Sequence, residues 1–299
     1  MKIYMWVFCG IGIPANILTF VTISKFQFRG VASFLVCLLV VIDSVALVAK
    51  LIEMQIIAHK VSLGQFGCKT IHVPSVTLTA ISNWTVILIC LERYVAVCKP
   101  FKRRIWITDK RCKAAVTLIS SILTVTFVSL YFIFIDIDST GFCFVIHLTE
   151  NSFYWVQFII SIAVPLIVTT VLTIAVIKTY FNARRRRLRV LIDKRNGQTD
   201  HLAERQNQTV VSSAESMEKI LSLLMMSSVL LYFVINLPFC VHALVIGPLY
   251  NYNLDSFSGL INDIFFILMD SSHVLNFFLY FVFVSGFRRN VCKLFRSIC

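Results

Sequence analysis

Residues 68–100 run CKTIHVPSVTLTAISNWTVILICLERYVAVCKP: a Cys-Lys pair, a long and mostly apolar stretch, a Glu-Arg-Tyr triplet, then a basic exit marked by a proline. A helix needs roughly 17–25 predominantly apolar residues, at ~1.5 Å each, to cross a bilayer. The middle of this one is diluted by Ser75, Thr77, Thr79, Ser82 and Asn83. Such side chains hydrogen-bond within a helix bundle, so this span is expected at the buried centre. From Cys68 to Arg93 is 25 residues, about 37 Å of helix. That length carries a cysteine at one membrane surface to an arginine at the other.

The rest of the chain has the same character. Its 299 residues are 58% hydrophobic and 14% charged, with 26 Phe. Soluble domains are about a quarter charged, and disordered chains are poor in aromatics. Both are excluded, leaving an integral membrane protein. Seven spans are expected, at about 4–24, 33–57, 70–97, 114–135, 153–179, 217–246 and 257–284, with no internal repeat. No cleavable signal peptide is expected, because the apolar run from Met1 continues through Asn16 to Ile23.

A net charge of +13 would suggest nucleic acid as a partner for a soluble protein. Here the basic residues lie between spans. The stretches 25–31, 93–113, 178–219 and 286–299 hold 24 of the 28 Lys and Arg. Positive residues stay in the cytosol, which predicts an extracellular amino terminus, a cytoplasmic carboxyl terminus and a cytosolic loop at 180–216. Topology then sorts the cysteines. Cys9, Cys37, Cys90 and Cys240 fall within spans, and Cys98, Cys112, Cys292 and Cys299 face the reducing cytosol. Cys68 and Cys143 are left on the oxidising side and are expected to pair.

With an extracellular cysteine 25 residues before it, Leu91-Glu92-Arg93-Tyr94-Val95-Ala96-Val97 resembles the signature of the rhodopsin-like (class A) G-protein-coupled receptors. The resemblance covers essentially the whole chain. Asn16 and Asp43 resemble that family's polar anchors, Pro165 and Pro238 its helix prolines, and Asn276-Phe277-Phe278-Leu279-Tyr280 its seventh-span motif. Residues 286–296, opening Gly286-Phe287-Arg288-Arg289, resemble its amphipathic helix along the inner leaflet. Phe277 replaces the motif's proline, Asn236 the usual tryptophan before Pro238 and Thr173 the usual fifth-span tyrosine, so the chain is a divergent member by this likeness.

The resemblance implies an all-α bundle of seven transmembrane helices, in the plasma membrane, with no catalysis. It implies an extracellular ligand, a heterotrimeric G protein and membrane lipids as partners. Around Asp43 it implies that Ser82, Ser272 and Asn276 converge, with Asn16 and Tyr280 nearby. The set suits either a sodium ion or a polar network that only aligns helices. Arg93, flanked by Glu92 and Tyr94, matches Glu218 in depth, which makes either an inactive-state latch or solvated charges of little consequence. Pro165 and Pro238 are expected hinges, with Asn236 a candidate partner for the backbone group that Pro238 frees.

The outer half offers Lys50, Glu53, Ser75, Asp270 and His273 as pocket residues. Lys50 and Asp270 share a depth, which predicts a buried ion pair. Glu53, at i+3 from Lys50, is the competing partner. Acids near the rim suit a cationic or amidated peptide, such as a neuropeptide, or serve solubility alone. Cys292 and Cys299 are candidate lipidation sites or plain thiols. Arg184 to Arg187, with Arg189, are expected either as a contact for G protein or anionic lipid or as a stop-transfer flank that enforces topology. Asn83-Trp84-Thr85 and Asn207-Gln208-Thr209 match the glycosylation pattern, but lie in a span and in the cytosol. The six histidines form no metal-protease spacing, against an intramembrane enzyme. A seven-helix transporter is the rival class, and a chemosensory receptor of the same fold the nearer alternative.

Overall fold

The computed structural model describes residues 3–25, 30–59, 61, 63–137, 143–145, 150–196, 230–238, 240–241 and 256–296. Helix α1 spans Tyr4–Lys25, α2 Val31–Ala58, α3 Gly64–Cys98, α4 Pro100–Trp106 and α5 Asp109–Phe134. Strands β1 (Ile135–Ile137) and β2 (Cys143–Val145) form an antiparallel hairpin, with Ile137 opposite Cys143. Helix α6 (Glu150–Phe158) passes through a π-turn (Ile159–Ala163) into α7 (Val164–Asn196). Residues 230–238 are helical, and α8 (Ser256–Phe283) and α9 (Ser285–Arg296) close the chain.

Six helical segments among the described residues are long and apolar enough to cross a membrane: Tyr4–Lys25, Val31–Ala58, Gly64–Cys98, Asp109–Phe134, Ser152–Thr179 and Asp263–Val282. Most of the expected span 217–246 lies outside the described residues. Helix α3 packs against α2, α5 and α7. Two of its hydroxyls bond within the helix: Thr79 Oγ1 donates to Ser75 O at 2.8 Å and Thr85 Oγ1 to Ile81 O at 2.7 Å. Outer helices look different. Helix α5 buries Leu123, Phe127 and Tyr131 but exposes Leu118, Ile122, Val125 and Ile133, the face an apolar solvent would cover.

Two details depart from the sequence expectations. The stretch 180–216 was expected as loop, yet α7 continues to Asn196. Arg and Leu are good helix formers, and no Gly or Pro interrupts the chain before Gly197. The strand pair β1 and β2 is a second feature that apolar counting missed, each strand being too short to register.

The π-turn has an identifiable cause. Val164 N–H bonds to Ile159 O rather than Ile160 O, and Pro165 has no N–H to give. The carbonyls of Ile160 and Ser161 therefore lose their usual donors. Helix α3 supplies replacements: Trp84 Nε1 donates to Ile160 O at 3.0 Å and Asn83 Nδ2 to Ser161 O at 2.8 Å. Non-helical backbone at membrane depth persists only where neighbours satisfy it in this way.

Candidate functional site

Three polar clusters are strung along α3. At its Cys68 end, α2 contributes Lys50 and Glu53. Lys50 Nζ pairs with an Asp270 oxygen on α8, the two side chains only 12% and 10% exposed. Tyr4 Oη on α1 donates to the other Asp270 oxygen at 3.0 Å. Glu53 does not join Lys50. Its carboxylate takes the Ser75 hydroxyl and the His72 ring, both on α3. Each buried charge thereby has its own partner, and four helices are linked by polar contacts. His72 was not foreseen in this cluster.

The second cluster surrounds Asp43, midway along α2 and fully buried. Ser82 Oγ donates to Asp43 Oδ1 at 2.6 Å, His273 Nδ1 lies 2.7 Å from the same oxygen, and Asn276 Nδ2 donates to Oδ2 at 3.0 Å. Asn16 Nδ2 donates to the His273 carbonyl at 3.1 Å, tying α1 to the same turn of α8. Two expectations are corrected. His273 belongs to this cluster and not to the outer pocket, because three residues along α8 from Asn276 puts both side chains on one face. Ser272, expected to face Asp43, donates back to Met269 O at 2.6 Å. One residue of helix rotation, about 100°, turns it away from Asp43. Among the described residues, no three His, Cys, Asp or Glu are grouped to hold a metal ion.

The third cluster is at the far end of α3. Glu92 Oε2 lies 2.7 Å from Arg93 Nε, both side chains buried, and Glu92 Oε1 lies 3.2 Å from an Arg103 guanidinium nitrogen on α4. One carboxylate therefore holds two guanidiniums and anchors the short α4 to α3. Tyr94 is half-buried, whereas Tyr280 is fully buried with its ring edge-on to Phe287 of α9.

The remaining sites are scattered. Pro165 is buried behind the π-turn, and Pro238 is exposed. Asn236 does not serve the carbonyl that Pro238 frees, four residues back at Val234. Its amide donates to Tyr232 O at 2.8 Å. Cys292 is exposed on α9. Cys68 is buried and disulfide-bonded, and Cys143 is placed by its backbone in β2. Glu218 and Cys299 lie outside the described residues. Sequence reasoning missed Asn83 and Trp84 as clamps on the π-turn. An amide inside an apolar span was the available signal, since a buried amide requires partners.

No curated protein matches this chain significantly. The model of one family does match: 7 transmembrane receptor (rhodopsin family), over residues 15–280. That range runs from α1 to Tyr280 of α8 and takes in all three clusters except Tyr4. This multi-pass membrane protein, with its central polar helix and buried Glu-Arg pair, belongs to the rhodopsin family of seven-transmembrane receptors.

Proposed function

We propose that this receptor takes an extracellular ligand, a cationic or amidated peptide, at the Cys68 end of α3 and activates a heterotrimeric G protein at the Arg93 end. The observation that carries it is the placing of charged clusters at opposite ends of one helix. Lys50–Asp270 and Glu53–His72 lie at one end, Glu92–Arg93–Arg103 at the other. A ligand that rearranges the first group shifts α2 and α8 against α3. The second group holds its arginine in a form from which release is the switch.

The sidedness rests on the basic loops: the amino terminus outside, the carboxyl terminus and α9 inside, in the plasma membrane. The outer partner of Cys68 in this reading is Cys143, the other cysteine on the oxidising side. Glu218 acts with Glu92 as an acidic partner of Arg93. Cys292 and Cys299 are the lipid attachment points beside α9. Pro165 and Pro238 are the hinges of the fifth and sixth spans. The peptide class rests on the acids near the rim, Asp136, Asp138, Glu150 and Asp255.

The test is a panel of amidated peptides and small odorants on cells expressing the chain, read by calcium and cyclic AMP. A peptide response is expected. It should vanish in Arg93→Ala at unchanged surface expression, while Glu218→Ala should raise signalling without ligand. A response to odorants alone would move the chain to the chemosensory class, and two variants indistinguishable from wild type would remove the latch.

A further inference from the structure

The cluster at Asp43 does not suit the sodium ion that the resemblance suggested. A hard cation requires oxygen ligands turned toward it. Here Asp43 Oδ1 already faces two donors, the Ser82 hydroxyl at 2.6 Å and His273 Nδ1 at 2.7 Å, and Oδ2 takes the Asn276 amide at 3.0 Å. Ser272, the oxygen expected to complete a cation shell, is turned into its own helix toward Met269 O. We propose that the His273 imidazole fills the place beside Asp43 that a sodium ion would take, so that the receptor carries a built-in, non-exchangeable partner for its buried carboxylate.

The ring is buried, and the backbone that carries it is tied to α1. Asn16 fixes the His273 carbonyl from α1, and the Asp43 and His273 side chains are each 1% exposed. Close packing at the neighbouring turn leaves little freedom: a Cβ on Gly12 would come within 2.8 Å of Leu47 Cδ1 and 2.9 Å of Val274 Cγ2. A cation entering beside Oδ1 would have to displace the imidazole nitrogen that lies 2.7 Å from that oxygen. The two states available to a receptor with a sodium site, ion bound and ion released, therefore collapse to one here. Coupling between α2 and α8 becomes permanent rather than ion-dependent.

Purified receptor in detergent provides the test, and needs neither ligand nor G protein, so its outcome is independent of the function proposed above. Melting is followed in sodium chloride and in N-methylglucamine chloride at equal ionic strength and fixed pH. Wild type should melt at the same temperature in both. His273→Ser, which removes the ring and adds an oxygen, should melt about 2–4 °C higher in sodium, by binding to the native state alone. Adding Asp43→Asn should erase that difference. Should the serine variant fail to fold, His273→Asn keeps an amide donor at the position and takes its place. Sodium stabilisation of wild type that Asp43→Asn abolishes would overturn the proposal. So would a ring-deleted variant that ignores sodium.

Discussion

Lys50 is a costly residue to place. A four-carbon ammonium two turns above Asp43 on an apolar helix is stable only if it finds a counter-charge, and it finds Asp270 across the bundle. The local alternative, Glu53 one turn along α2, is drawn off by His72 and Ser75. Losing one member of such a pair strands the other in a poorly solvated site, at about 3–5 kcal/mol, whereas losing both strands no charge. Lys50→Ala and Asp270→Ala should therefore each lower surface expression more than the double variant does. The exchange Lys50→Asp with Asp270→Lys should recover most of it. Flow cytometry on an amino-terminal epitope reads all four. Equal expression of the single and double variants would show that the pair contributes nothing.

At the scale of elements, α1, α2 and α8 meet where α1 is thinnest. Gly12 is buried, with Leu47 of α2 and Val274 of α8 closing on the space a side chain would need. Gly10, two residues earlier, has nothing within 4 Å of the equivalent position and is exposed. The two glycines share a helix and a propensity, so substituting each in turn separates packing from helix formation. Gly12→Leu should cost about 1–3 kcal/mol through overpacking, seen as a lower melting temperature in detergent. Gly10→Leu should melt no lower than wild type, since leucine is the better helix former. Equal losses at both would mean that the three helices have room to move apart.

The whole molecule is organised by its solvent. Apolar side chains such as Leu118, Val125, Ile167 and Val171 face outward, and the buried positions of α3 carry Ser, Thr, Asn and Glu. The outward face is apolar where that of a soluble bundle is polar, and the buried polar groups lie where other helices can satisfy them. In the proposed orientation the basic residues lie on the cytosolic side. Cys292, exposed on α9, is the probe. A membrane-impermeant maleimide should label it only after the plasma membrane of intact cells is permeabilised, with Cys292→Ser giving the background. Labelling in sealed cells would invert the orientation proposed from the basic loops.

The sequence by itself determined the class of molecule, because span length and hydropathy are summed over many residues and tolerate local error. Glu92 beside Arg93, 25 residues after Cys68, was enough to indicate the family. Equal depth was enough to suggest Lys50 with Asp270, since rise per residue is fixed in a helix. Rotation about the helix axis was not legible. Ser272 and His273 differ by one residue, about 100° around α8, and only packed neighbours decide which of them meets Asp43. The same holds for Asn83 and Trp84, whose role depends on carbonyls freed by a proline some 80 residues away in sequence. Depth is a property of one helix, and contact is a property of two. For that reason the choice of Glu53's partners, of the ring beside Asp43 and of the donors to the π-turn belonged to the tertiary structure alone.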